Sequence, residues 1–219
     1  IIIPSLSLLT LKSMSGSCKK TNCTKSGALT KMTKCPIKSL YVFDIDDTLF
    51  RTSARARIVN TKGQVKYLSS EELKDYEFSS DEKICFAEFR DAKKFAEESQ
   101  PIESMIKIAQ DCIKKTAEGS KTILLTARAD LDCKTKFLEY LNSSGLDINH
   151  IYVERAGNRP NLKTAEAKKL IIKHYLESRS YQKAYLFDDS LDNIDSFSDL
   201  KVMFPSVELF PQHVTISLK

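Results

Sequence analysis

Leu40-Tyr41-Val42-Phe43-Asp44-Ile45-Asp46-Asp47-Thr48 decides how this chain is read. Four apolar residues in succession, with no polar alternation, describe a strand buried on both faces. That is the pattern of a parallel sheet covered by helices. The run then meets a cluster of carboxylates at Asp44, Asp46 and Asp47. Like charges gathered at the end of a buried strand repel one another unless a cation or a proton intervenes.

Working outward, three more segments repeat the theme of an apolar run followed by polar groups. Thr122-Ile123-Leu124-Leu125 ends at Thr126-Ala127-Arg128, a third strand lies at 150–153, and Ala184-Tyr185-Leu186-Phe187 ends at Asp188-Asp189. Helical spacing fills the gaps. A helix opened by Pro101 carries Ile102, Met105, Ile106, Ala109 and Ile113 and stops at Gly119. Further helices are expected at 131–142, 164–178 and 191–203, with a last strand near 207–210 and 214–217. Strand and helix in alternation predict an α/β fold, a parallel sheet with right-handed crossovers and helices on both faces. Between the first strand and the Pro101 helix, Arg57–Asn60 and Gln64–Tyr67 flank Thr61-Lys62-Gly63 as a hairpin. Residues 68–100 read as a helical or irregular remainder, so 51–100 form a small cap-like insertion. Its brevity suits an open site.

Composition narrows the function classes. The chain has 219 residues and a net charge of +5. Residues 1–36 hold six lysines and no acid, which leaves a net charge of −1 on 37–219. The basic character is confined to a leader, and a domain that coats nucleic acid is disfavoured. Three readings of 1–36 stand: a disordered or untranslated leader, an organelle transit peptide, and a polyanion-binding arm. The chain opens on Ile1, which suits a fragment or an over-extended translation, with Met14 and Met32 as alternative starts. No run approaches the roughly 18 apolar residues of a membrane span. Six cysteines without CxxC spacing suit reduced thiols in a cytoplasmic compartment.

In a parallel sheet, ligands sit beyond the carboxyl ends of the strands. Asp44, Asp46, Thr126, Asp188 and Asp189 would meet there. A carboxylate can attack phosphorus and split hydrolysis into two easier steps, with a second acid to protonate the leaving oxygen and then activate water. Clustered carboxylates suit Mg²⁺, for which Asp44 and Asp188 are the natural ligands. A hydroxyl such as Thr126 and a lysine would hold the phosphoryl oxygens.

These residues also carry a resemblance. Asp44-Ile45-Asp46-Asp47-Thr48 resembles the DxDxT signature of the haloacid dehalogenase (HAD) superfamily. Thr126, a lysine on helix 164–178 and Asp188-Asp189-Ser190-Leu191-Asp192-Asn193 resemble its second, third and fourth motifs in order. The resemblance implies a Rossmann-like core, Asp44 as nucleophile and Asp46 as acid/base. It also implies Mg²⁺ held by Asp44, the backbone carbonyl of Asp46, and Asp188, with Asp189 and Asp192 as outer-shell or helix-capping residues. An acid two residues after the nucleophile marks phosphatase-type members, so a phosphorylated substrate is implied. Thr126-Ala127-Arg128-Ala129-Asp130, Val153-Glu154-Arg155-Ala156-Gly157 and Phe187-Asp188-Asp189-Ser190 are most similar to small bacteriophage and viral hydrolases. More distantly they resemble the 3′-phosphatase half of bacteriophage polynucleotide kinase. A small phosphomonoester and a nucleic-acid phosphate end are both open as substrates, as is a silent binding module that keeps the fold.

Two assignments stay divided. Lys163 and Lys168 both lie near the start of helix 164–178; the resemblance of Thr164-Ala165-Glu166-Ala167-Lys168 to helix-borne motif lysines favours Lys168. Arg128 and Arg155 each follow a strand end, where they would bind a substrate phosphate or form surface ion pairs. Arg51, Arg55 and Arg57 line either the mouth of the site or a solvated hairpin face. His150, His174 and His213 read as structural or exposed.

Overall fold

The computed structural model describes residues 36–215. The basic leader, Cys18, Cys23, Cys35 and the end of the expected last strand lie outside the described residues.

In chain order the elements are β1 (Ser39–Phe43), β2 (Phe50–Arg51), β3 (Ala56–Asn60), β4 (Val65–Leu68), α1 (Ser70–Lys74), β5 (Glu82–Cys85), α2 (Ala87–Arg90), α3 (Ala92–Glu98) and β6 (Gln100–Pro101). Then come α4 (Glu103–Lys114), β7 (Lys121–Thr126), α5 (Lys134–Ser143), β8 (Ile151–Arg155), α6 (Thr164–Ser178), β9 (Lys183–Asp188), α7 (Leu191–Ser198), α8 (Leu200–Met203) and β10 (Glu208–His213). Five strands form one parallel sheet in the order β10-β9-β1-β7-β8. This is the Rossmann-like α/β layering expected from the strand runs.

Side chains alternate across the sheet, as the pleat demands. Tyr41, Phe43 and Leu124 pack with Met105, Ile106 and Ala109 of α4 and Phe137 and Leu141 of α5. Leu40, Val42, Ile123 and Leu125 pack on the other face with Ala167, Ile171 and Ile172 of α6 and Ile194 and Phe197 of α7. Aromatic stacks bind neighbouring strands on the first face: Phe43 lies 4.5 Å from Phe187 and Tyr41 lies 5.1 Å from Tyr185, centroid to centroid. Fully burying one such side chain contributes roughly 1.5–3 kcal/mol, so the central strand is also the best-anchored one.

β1 lies between β7 and β9, which puts Phe43 level with Leu124 and Phe187. The residues just past it, Asp44, Thr126 and Asp188, therefore share one edge.

The insertion is more ordered than its sequence indicates. The expected hairpin is β3–β4, and a third antiparallel strand, β5, completes a sheet in the order β4-β3-β5. Glu82-Lys83-Ile84-Cys85 has too little apolar content to announce a strand; it is made by pairing with β3. Pro101 does not open a helix. It is drawn into a two-stranded pair, Phe50 with Pro101 and Arg51 with Gln100, that closes the neck of the insertion, and α4 starts two residues later. The expected helix 131–142 begins at Lys134, and 191–203 divides into α7 and α8. No helix among the described residues is long and apolar enough to cross a membrane.

Candidate active site

The turn after β1 brings two carboxylates to the sheet edge. Leu49 and Phe50 amides both donate to the Ile45 carbonyl, and the Asp47 amide donates to the Phe50 carbonyl at 2.7 Å. Asp47 adopts φ 55°, a left-handed conformation that aspartate tolerates better than most L-residues. Asp44 is 4 % exposed, and its own amide donates to the Phe187 carbonyl at 2.9 Å, fixing it beside β9.

Lys168 reaches this edge because α6 runs back from it. The helix buries Ala167, Lys168, Ile171, Ile172 and Leu176 as one stripe, and a helical side chain near the first turns leans toward the N-terminus. Its Nζ donates to Asp44 Oδ1 at 2.6 Å and to Asp188 Oδ2 at 2.8 Å, with all three side chains nearly closed to solvent. Lys163 is the N-cap residue of α6 and is exposed, and Lys169 pairs with Asp199 at the surface. Of the three, the structure brings Lys168 to the carboxylates.

Asp188 is held from the other side too. Its Oδ1 accepts the Ser190 amide at 3.0 Å and the Asn193 carboxamide at 2.8 Å. Asn193, on the buried side of α7, had no role assigned from sequence, although its place in the first turn after Asp188-Asp189 was the available signal. Asp44, Asp188 and Asp189 each offer a carboxylate oxygen, and these oxygens lie within 4.8 Å of one another. An all-oxygen, carboxylate-rich set of this kind fits a hard divalent cation such as Mg²⁺. The Asp46 side chain is not in that group.

Asp46 instead faces the loop after β7. Arg128 grips it through Nε (3.1 Å to Oδ1 and 2.9 Å to Oδ2) and a terminal nitrogen (2.7 Å to Oδ1). The Thr126 hydroxyl lies 3.4 Å from Asp46 Oδ2 and accepts the Arg128 amide at 3.0 Å. At 3 % exposure Arg128 makes a buried rather than a surface ion pair, with Asp46. Arg155 ends β8 level with Thr126, and its Nε lies 3.5 Å from Asp130 Oδ1 without a hydrogen bond. Arg51, Arg55 and Arg57 are exposed on the insertion and its neck. His213 is also exposed, its Nε2 lying 3.1 Å from the Asp189 carbonyl.

The electrostatics separate the two acids. Burial pushes the Asp44 carboxyl well above the usual carboxylate range, against the opposing pull of Lys168, and Asp188, Asp189 and Asp46 push it further. Burial acts upward most strongly on Asp46 as well, but the charge and hydrogen bonds of Arg128, with smaller help from Thr52 and the charge of Lys168, together hold that carboxyl below its ordinary value. Lys168 is raised despite burial because Asp44 and Asp188 both favour its charged form. Burial thus prevails at Asp44 in spite of Lys168, whereas the positive charge beside Asp46 prevails over burial there.

No protein-family model matches the chain, and no curated protein does. Among solved structures it is similar to the HAD domain of the effector protein Lem4 from Legionella pneumophila. The TM-score is 0.49 and the identity 13 %, covering 85 % of this chain and 91 % of that one.

Proposed function

We propose that this protein is a Mg²⁺-dependent phosphomonoester hydrolase of the haloacid dehalogenase type, working through an aspartyl-phosphate on Asp44. The observation that carries the reading is the Lys168 ammonium set between Asp44 and Asp188, with the second acid of the DxDxT turn two residues away beside Thr126. A surface cluster of acids has no need of a fully buried lysine; a site that must gather a phosphoryl group and its counter-charge does.

In the first half-reaction an Asp44 oxygen attacks phosphorus. The bond to the leaving oxygen breaks, and Asp46, which must first take up a proton against the pull of Arg128, gives that proton to the oxygen. In the second, Asp46 takes a proton from water as the water oxygen attacks the same phosphorus, and the Asp44 carboxylate departs. Lys168 and the Thr126 hydroxyl neutralise and orient the phosphoryl oxygens. Asp44, Asp188 and Asp189 would hold the magnesium ion, which when bound supplies charge neutralisation for the phosphoryl group.

The test is hydrolysis of 4-nitrophenyl phosphate with and without Mg²⁺. Asp44→Asn is expected to abolish turnover, and acid quenching of the wild type to leave phosphate on the peptide that carries Asp44. Unchanged turnover in purified Asp44→Asn would remove the mechanism.

A further inference from the structure

The guanidinium of Arg128 joins two parts of the molecule. Two of its nitrogens are bonded to Asp46, and the third donates to the Phe89 backbone carbonyl at 2.9 Å. Its carbon lies 4.8 Å from the Phe95 ring centroid and 5.3 Å from that of Phe89. Phe89 and Phe95 belong to α2 and α3 of the insertion, and Phe95 continues into the core through Phe50, Phe137 and Tyr140.

The loop that carries Arg128 is clamped on two sides. From the insertion, Arg90 Nε donates to the Asp130 carbonyl at 3.1 Å, the Asp132 amide donates to the Arg90 carbonyl at 2.9 Å, and Asp132 Oδ1 accepts the Ala92 amide at 2.9 Å. From the turn after β8, Asn158 Oδ1 accepts the Asp130 amide at 3.0 Å. Gly157 presses so close that an added Cβ would collide with the Ala127 carbonyl oxygen and fall 2.6 Å from the Arg128 carbonyl carbon. A planar fork bonded to both oxygens of a carboxylate fixes its plane as well as its position.

We infer that Arg128 is a positioning residue through which the seating of the 52–99 insertion on the 127–133 loop aims Asp46, so that the insertion governs the leaving-group step. This rests on the phosphatase reading of Asp44 and Asp46. A phosphate ligand at Arg128 would need access, whereas each of its three nitrogens already donates within the protein and the side chain is 1 % exposed. What Arg128 controls is the group that protonates the leaving oxygen.

The consequence is selective. Departure of 4-nitrophenolate needs little protonation, and departure of an alkoxide needs it fully. The parameter kcat/KM counts steps only up to that departure, so the second half-reaction does not enter. Arg128→Met, which keeps bulk but removes the fork, is expected to lower kcat/KM on glycerol 1-phosphate by about 100-fold and on 4-nitrophenyl phosphate by less than about tenfold. Asp46→Asn is expected to show the same split, and the Asp46→Asn/Arg128→Met double variant to be no worse than Asp46→Asn alone. Asp132→Ala, at the insertion seam, is expected to show the split at about fivefold. Arg128→Lys keeps charge without the fork, should recover part of the loss, and serves as the probe if Arg128→Met does not fold. Equal losses on both esters with a raised KM, or losses that multiply with Asp46→Asn, would overturn the role of Arg128. An unchanged Asp132→Ala would overturn the link to the insertion. A wild type inactive on both esters would overturn the phosphatase reading on which the proposal stands.

Discussion

Replacing Lys168 by Met tests whether the buried lysine is the counter-charge on which the folded site depends. The variant keeps the length of the side chain and removes its charge. What remains is Asp44 at 4 % exposure and Asp188 at 0 %, with carboxylate oxygens within 4.8 Å of each other and Asp189 near by. At that separation and an effective dielectric of about 20, two ionised carboxylates repel by about 3 kcal/mol. Removing one partner of a buried ion pair costs about 3–5 kcal/mol by experience in other proteins, which agrees. For a chain of this size each kcal/mol moves Tm by about 2–4 °C, so Lys168→Met should melt about 6–20 °C below the wild type near neutral pH without metal.

The deficit should depend on pH with a definite sign. Lys168 has a folded pKa above its unfolded value, so its contribution is whole at and below neutral pH. The Asp44 carboxyl is raised already and rises further without Lys168. A raised carboxyl contributes stability that is complete below the ordinary value of about 4 and is lost as pH climbs through the folded value. The variant should therefore approach the wild type toward pH 4 and fall behind it toward pH 8. Asp44→Asn placed on Lys168→Met removes the stranded charge and should recover most of the loss. Thermal melts of the three proteins in EDTA at several pH values decide the matter. A Lys168→Met deficit that is absent at pH 8, or that does not vary with pH, would refute the reasoning.

The same geometry sets other expectations. Asn193→Ala strips one of the donors that orient Asp188, so Mg²⁺ affinity measured by calorimetry should fall by about 10–100-fold, and the metal-free protein should lose about 1–3 kcal/mol because the acceptor is buried. Burial raises the Asp44 carboxyl and Mg²⁺ favours its charged form, so affinity should rise with pH through that raised carboxyl; calorimetry in buffers of different ionisation enthalpy should record proton release below it. Asp47→Val puts a β-branched residue at φ 55° and should cost about 1–2 kcal/mol, read from denaturant midpoints at constant slope.

Which parts of this architecture the sequence could disclose follows from the range of the forces involved. Runs such as Leu40–Phe43 and Ile123–Leu125 are legible because a strand buried on both faces has no polar alternation, and each run supplies that signal by itself. Helical phase carried more than was taken from it. Lys168 stands four residues before Ile172, on the stripe that α6 buries, whereas Lys163 precedes the first turn, so helical phase separates the two. The bond between Arg128 and Asp46 had no such local trace. The residues are 82 apart, and their meeting depends on β7 lying beside β1, on Gly157 admitting the loop backbone, and on a carbonyl of α2 that any residue type would supply. β5 was hidden for the same reason, since its edge is defined by β3 and not by its own residues. What escaped the sequence is therefore the set of contacts by which one segment positions another. The Arg128 bridge belongs to that set: the carboxylates announce where the chemistry is, and the loop and insertion packed around Arg128 determine how Asp46 is aimed at it.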